Sequence, residues 1–257
     1  MHLYRIIEPI GAGQFGQIFK GEHIITREKV AIKIQPNNQL IRSLQNEAKV
    51  YRQLIGQPGF AALKAFQDNM LVLELLGPSM ANVIQHVKVL GIQDVLLVGV
   101  QLISRVQTLH NLGYIHRDIK PDNVMLGVNS NKHVIYLIDF GLCTSKTKTI
   151  SSKSTVGSLN FVSSHVHQMG PIQDDLESCM YVLIYLYFGT LSWFSSTNPH
   201  DILTQKINLE NVVEVPAVFK EMLKYIRSQR EPSYGYLTQL MNAELNVDEF
   251  GFYKLFD

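Results

Sequence analysis

Apolar and polar positions change their period several times along the chain, and those changes divide it into elements. Residues 17–21 (Gln-Ile-Phe-Lys-Gly) and 30–34 (Val-Ala-Ile-Lys-Ile) are short runs parted by a polar turn, and they predict two strands of a hairpin. From Leu40 to about Ile55 the period becomes helical. Leu40, Leu44, Glu47, Tyr51 and Leu54 fall at i, i+4, i+7, i+11 and i+14, one stripe of a 3.6-residue helix. Met70 to Leu76 is a continuous apolar run broken by Glu74 and stopped by Gly77-Pro78, which predicts a strand ending at a chain break. After Pro78 the chain turns helical, and Asp94 is expected to cap a helix whose Val95, Leu102, Val106 and Leu109 keep helical spacing until Gly113. Val124-Met125-Leu126 and Tyr136-Leu137-Ile138 predict two more strands about a polar turn at 129–133. Cys179 to Phe188 is the most apolar run, about half of the ~20 residues a membrane span needs, so it predicts a buried core helix. Residues 193–257 read as further helices without a chemical motif.

At 257 residues the chain exceeds the usual single domain, so one large domain or two lobes sharing a cleft is expected, and 46% hydrophobic content is ample for a core. A formal charge of +1 gives no net field favouring nucleic acid or an anionic membrane. The two cysteines, Cys143 and Cys179, lack metal or redox spacing and point to a reduced compartment without structural zinc, a disulfide between them being the lesser alternative. His165 and His167 stand two apart without further ligands nearby in sequence. The start, MHLYRIIEPIG, carries no signal-peptide pattern, and the end, KLFD, is neither a prenylation nor a retrieval signal. A soluble intracellular protein, in cytoplasm or nucleus, is therefore expected, with a monomer as the default state.

Two inward polar positions ask for each other. Lys33 lies inside an apolar strand, where a charge is costly unless it meets an anion, and Glu47 is the single carboxylate on the inward stripe of the following helix. Gly11-Ala12-Gly13-Gln14-Phe15-Gly16 is a G-x-G-x-x-G, a weak signal shared by several nucleotide folds; here strands rather than a helix follow it. A hairpin covering a nucleotide is one reading, its glycines letting backbone N–H groups approach phosphates; a plain glycine turn is the other. The densest chemistry lies at His116-Arg117-Asp118-Ile119-Lys120-Pro121-Asp122-Asn123, an H-R-D-x-x-x-x-N run. This resembles the catalytic loop of a protein kinase. The resemblance implies that Asp118 accepts a hydroxyl proton, that Lys120 neutralises charge on the γ-phosphate as in serine/threonine kinases, and that Asn123 holds a metal ion.

Other parts of such an enzyme then fall at compatible places. Asp139-Phe140-Gly141 follows a strand downstream of the loop, which implies Mg²⁺ held by Asp139 and Asn123, with Phe140 packed under the inward helix. Lys33 and Glu47 match the ion pair that holds the α- and β-phosphates of ATP. Ile10, Gly11, Gly13, Gly16 and Ile18 on the hairpin, Ala31 and Lys33 on the next strand, and Leu73, Glu74 and Leu76 at the chain break are the expected nucleotide contacts. Strand packing explains the same apolar side chains. Leu142 to Asn160 is the expected activation loop, with Thr144, Thr147, Thr149, Ser151, Ser152, Ser154 and Thr155 as possible phosphoacceptors and Arg117 as a possible phosphate partner. Asp175 is given a scaffold role at a buried helix start.

Asp-Ile-Lys-Pro-Asp-Asn (118–123), Glu-Leu-Leu-Gly-Pro-Ser (74–79), Leu-Ile-Asp-Phe-Gly-Leu (137–142) and Asp-Asp-Leu-Glu-Ser (174–178) are similar to the casein kinase 1 family over almost the whole chain. That resemblance implies an α+β, bilobal protein-kinase fold over 1–257, catalytic domain only, with a β-rich N-lobe (1–76) and a larger helical C-lobe (77–257). It implies a divergent serine/threonine kinase using ATP and Mg²⁺ on protein substrates, with Asp118, Lys33, Glu47, Lys120, Asn123 and Asp139 as catalytic residues. The family's Ser-Ile-Asn element is Ser163-Ser164-His165 here. Asn160 and Ile172-Gln173 stand where the family has arginines, and its basic loop near 195–207 is reduced to Lys206, which weakens the expectation of acidic or primed substrates. A nucleotide-binding pseudokinase scaffold is the alternative, and a small-molecule phosphotransferase is disfavoured by Lys120.

Overall fold

The computed structural model describes residues 3–13, 16–35, 41–146, 157–164, 171–246 and 251. Leu40, Thr147, Thr149, Ser151, Ser152, Ser154, Thr155, His165 and His167 lie outside them. Five antiparallel strands form the N-terminal sheet: β1 (Tyr4–Gly13), β2 (Gly16–His23), β3 (Lys29–Ile34), β4 (Leu63–Gln67) and β5 (Met70–Glu74), in the order β1-β2-β3-β5-β4. Central β3 and β5 bury Val30, Ile32, Leu71 and Val72, where β-branched and aliphatic side chains fit a surface covered on both faces. Helix α1 (Ile41–Gln53) packs across this sheet and buries Leu44, Ala48, Tyr51 and, just past its end, Leu54.

The chain leaves the sheet after Glu74, two residues sooner than the apolar run predicts, because Leu75 and Leu76 extend toward the second region. There Gly77 donates its N–H to Leu126 O at 2.9 Å. The second region is mainly helical: α2 (Met80–Val87), α3 (Ile92–Asn111), α4 (Pro171–Phe188), α5 (Pro199–Ile207), α6 (Ala217–Ser228) and α7 (Tyr234–Glu244). Ser79 starts α2 with a capping box shared with Asn82, which satisfies N–H groups at the helix start. Asp94 does not cap α3, contrary to expectation. Gly91 is the cap and Asp94 sits in the first turn, where its charge suits the positive end of the helix and its carboxylate accepts the N–H of Gly251 at 2.6 Å.

Helix α3 is the axis of this region. At Gly99 an added Cβ would lie 2.6 Å from Met241 Sδ and 2.9 Å from a Leu183 methyl, so glycine lets α3 fit between α4 and α7. Helix α4 is buried along nearly its whole length, from Leu176 through Leu186, as its apolar run predicts. Two further two-stranded sheets lie outside the five-stranded one. Strand β7 (Val124–Leu126) pairs with β8 (Ile135–Leu137), and β6 (Tyr114–Ile115) pairs with β9 (Thr144–Ser145). The β4 strand, Leu-Lys-Ala-Phe-Gln, has little alternation and lies at a sheet edge, which is why its pattern gives no sequence signal. No helix among the described residues is long and apolar enough to cross a membrane.

Candidate active site

Between the sheet and the helical region lies a cleft of about 790 Å³, within the usual range of small-molecule sites. Ile10, Gly11, Ile18, Ala31, Lys33, Glu47, Leu73, Glu74, Leu76, Lys120, Asn123 and Asp139 all line it. Gly16 does not; it faces Gly13 across the end of the β1–β2 hairpin, and an added Cβ on Gly16 would come 2.5 Å from Ile34 O. Tyr51, Met125, Ile138 and Ser158 also line the cleft, although the sequence gives none of them a site role. All four are ordinary core or loop residue types, so only their position marks them.

At the cleft's inner end the Lys33 ammonium lies 2.8 Å from Glu47 Oε2 and 2.8 Å from Asp139 Oδ1. Register makes this possible. Lys33 opposes Leu71 in β5, so its side chain shares the face that α1 covers, and Glu47 descends from α1 onto it. Burial works against the Lys33 charge, but the two carboxylates outweigh it and hold the ammonium above its ordinary range. Burial also pushes the Glu47 carboxyl up to about 7, with Lys33 opposing that rise. At Asp139 the pull of Lys33 wins over burial and lowers its pKa.

Asp139 reaches this position from a left-handed backbone (φ 66°), a conformation that costs energy outside glycine and persists where its surroundings hold it. Phe140, the next residue, is fully buried and packs edge-on against Tyr51 of α1 (4.8 Å) and His116 (5.5 Å). Ser43 Oγ and Asn46 Nδ2 of α1 donate to Gly141 O and Cys143 O, both at 2.9 Å. The helix bearing Glu47 is thus tied to the segment bearing Asp139.

Asp118 is buried at the centre of a second set of contacts. Lys120 Nζ lies 2.6 Å from its Oδ2, and Asn123 Nδ2 donates to its backbone carbonyl at 2.8 Å. Ser158 donates to its Oδ1 twice, from the backbone N–H (3.0 Å) and from the hydroxyl (3.1 Å). Gly157 permits that approach: its φ is +105°, and a Cβ there would meet Arg117 O at 2.4 Å. The β7–β8 hairpin brings the two sets together, since Ile138 donates its N–H to Asn123 O at 3.0 Å and so sets Asp139 beside Asn123.

The loop's backbone hangs on one carboxylate. Asp175, at the buried start of α4, accepts the N–H of His116 (2.7 Å) and of Arg117 (2.8 Å), and His110 Nε2 lies 2.8 Å from its Oδ2. Tyr234 of α7 closes the chain on His110 Nδ1 at 2.6 Å. Burial pushes the Asp175 carboxyl up, yet His110 and these N–H donors outweigh it and hold its pKa below the ordinary value.

Asp174 next to it behaves oppositely. Burial pushes its carboxyl up to about 7, against the Ser163 hydroxyl that donates to it and with help from the charges of Asp175 and Glu177. A folded value above the unfolded one (~3.9) means the native state takes up a proton as pH falls through 7, so this group's cost to stability shrinks below pH 7 and is gone only once pH falls below ~3.9. Asp174→Asn is therefore expected to raise the melting temperature at pH 8 by roughly 2–4 °C, about 1 kcal/mol for a chain of this size, and to have little effect at about pH 4. Thermal melts of both proteins at the two pH values check this.

Lys206, the one lysine left of the basic loop expected near 195–207, does not face solvent. It is buried, donates to Leu159 O (2.8 Å) and Val162 O (2.6 Å), and its ammonium lies over the Tyr181 and Trp193 rings. Burial lowers its pKa to about 8. Gln173 also points inward, its amide donating to Gln229 O and Arg230 O. A protein kinase domain family model matches residues 4–249.

Proposed function

This chain belongs to the protein kinase family, and we propose that it is an active serine/threonine kinase of casein kinase 1 type that moves the γ-phosphoryl of ATP to a protein hydroxyl. The observation that carries the reading is the joint assembly of two sets of contacts at one cleft: Lys33 between Glu47 and Asp139, and Asp118 between Lys120, Asn123 and Ser158. In this reading Asp118 orients the acceptor hydroxyl and takes its proton, while Lys120 offsets charge beside it. Glu47 fixes Lys33, which positions the α- and β-phosphates. Ile18, Ala31 and Leu73 enclose the base, and the backbone at Glu74 to Leu76 supplies its polar partners.

The oxygen donors present suit a hard cation. Asp139 offers a carboxylate, and Asn123, with its NH₂ given to the Asp118 carbonyl, keeps its amide oxygen as an acceptor. Mg²⁺ held by these two residues supplies neutralisation of phosphate charge. The N-lobe is read as 1–76 and the C-lobe as 77–257, with the Gly77-Pro78 break as the connection.

A nucleotide-binding scaffold without transfer is the second reading, favoured by the inward turn of Lys206 and Gln173, which takes polar groups away from the substrate side. Incubation with Mg²⁺, labelled ATP and a mixed library of serine and threonine peptides separates the two. Incorporation into peptide is expected. Nucleotide binding without any incorporation supports the scaffold instead.

A further inference from the structure

Asp118 is met by a turn whose own backbone hangs on one buried lysine. Ser158 gives its N–H and hydroxyl to Asp118 Oδ1, while its carbonyl accepts the N–H groups of Phe161 (2.8 Å) and Val162 (3.0 Å), which closes a turn over residues 158–162. The other carbonyls of that turn need donors from elsewhere in the chain. Trp193 Nε1 supplies Asn160 O at 3.0 Å, and Lys206 Nζ alone supplies both Leu159 O (2.8 Å) and Val162 O (2.6 Å). Lys206 is 2% exposed, and among the described residues no carboxylate lies within ion-pair distance of its ammonium. Its charge rests on the two carbonyls and on the faces of the Tyr181 (5.0 Å) and Trp193 (5.5 Å) rings. Burying a charge in this way costs energy, and what it secures is two charge-assisted bonds to a single turn, each roughly twice as strong as a neutral one.

We propose that Lys206 is a positioning residue for phosphoryl transfer: its ammonium fixes the 158–162 turn, the turn sets Ser158 against Asp118, and loss of the ammonium charge lowers transfer without unfolding the chain. The proposal rests on the chain being the kinase described above. Burial lowers the Lys206 pKa to about 8, with Glu177 opposing the fall, so the proton leaves well below the ~10.4 of a free lysine. The neutral amine keeps two N–H donors but loses the charge assistance and the attraction to the rings. The charged and titratable groups packed about Lys206 are Glu177 and Tyr181 of α4, Arg227 of α6, whose Nη2 donates to Lys206 O at 3.0 Å, and Glu210, paired with Arg227 at 2.7 Å. Burial holds the Tyr181 hydroxyl well above its ordinary pKa, and Glu177, against burial, raises that of Arg227, so neither changes charge near pH 8.

Stability moves the other way. A folded pKa of about 8 below the unfolded ~10.4 means that this group's cost to stability is full below pH 8 and fades as pH rises toward 10.4. Transfer and stability therefore diverge above pH 8, which a lysine serving the fold alone does not produce.

Initial rates of transfer from saturating ATP to one serine peptide, from pH 6.5 to 9.5, test this. The native chain is expected to lose roughly tenfold in kcat between pH 7 and 9. Lys206→Arg, which stays charged, should carry that limb beyond pH 9.5. Lys206→Met should transfer about tenfold or more slowly than the native chain at pH 7, with no limb near pH 8. Circular dichroism melts show that each variant is folded, and the native melting temperature, taken relative to Lys206→Met, should rise from pH 8 to 9.5. A native kcat that stays flat to pH 9.5, or native-rate transfer by Lys206→Met, overturns the proposal; these two readings decide it even where arginine is too large to fold in. Hydrogen exchange at pH 7 reads the turn without transfer: the amides of Ser158, Phe161 and Val162 should exchange about tenfold faster in Lys206→Met, while those of α3 keep their rates. Faster exchange with no transfer by any form removes the kinase reading and leaves the tether standing. Equal exchange with equal transfer removes the tether while the kinase stands.

Discussion

Replacing Asp118 by asparagine is expected to lower phosphate transfer by roughly 10²–10⁴-fold, the usual contribution of a positioned general base, while leaving the protein folded and nucleotide-bound. The substitution is nearly isosteric. Its amide still accepts from Ser158 or Lys120, so the loop keeps its shape, and Asn123 still donates to the unchanged Asp118 backbone carbonyl. What disappears is a group able to take a proton. Nucleotide affinity should hold within a few-fold, because Lys33, Glu47 and Asp139 lie in the separate ion-pair set at the inner end of the cleft. Initial rates with labelled ATP and one good serine peptide, beside nucleotide binding by fluorescence, give both numbers. Transfer by the variant at the native rate would sink the assignment of Asp118.

The largest structural effect is expected at Asp175, where alanine should cost about 3–5 kcal/mol, the range for removing one partner of a buried charged network. Three donors lose their acceptor at once: the N–H groups of His116 and Arg117 and the ring of His110. None is replaced by water easily, because His110 and His116 are themselves buried. Arg117 holds a positive φ of 72°, a conformation maintained by its surroundings, so the loop is expected to relax and activity to fall further than stability alone accounts for. Asp175→Asn should fall between, since an amide keeps one acceptor oxygen. Denaturant unfolding of the three proteins ranks them, and the same measurement against pH carries a sign. The folded pKa of Asp175 lies below its ordinary value, so its stabilisation is complete above the unfolded pKa of ~3.9 and is lost as pH falls through the folded value. The native chain should therefore lose its advantage over Asp175→Asn only in strong acid. An equally stable alanine variant at pH 7 contradicts the clamp.

The motifs legible in the sequence were those whose chemistry is local. Lys33 and Glu47 were marked because a charge on an apolar face demands a partner, and the 2.8 Å contact joins the two residues so marked. His116 to Asn123 and Asp139 to Gly141 were marked by spacing within a few residues. Ser158 carried no such mark, since serine in a polar loop is unremarkable until the fold sets it against Asp118. Lys206, the one lysine left of the expected basic loop, carries no sequence mark of burial, and only its contacts with Leu159 O and Val162 O show it turned inward. The Asp94 cap failed by a few residues, as helix starts do when glycine and acidic residues compete for the cap.

By itself the sequence determined the elements with a clear apolar period, β2, β3, β5, α1, α3 and α4 among them, and the protein kinase family, through residues close together along the chain. Tertiary structure alone decided which distant groups converge: Asp139 onto Lys33, Ser158 onto Asp118, Asp175 onto the loop backbone, and Phe161 with Phe194 in one edge-on aromatic pair. The physical reason is that register and helix packing fix distances between residues whose separation in sequence carries no information about their separation in space.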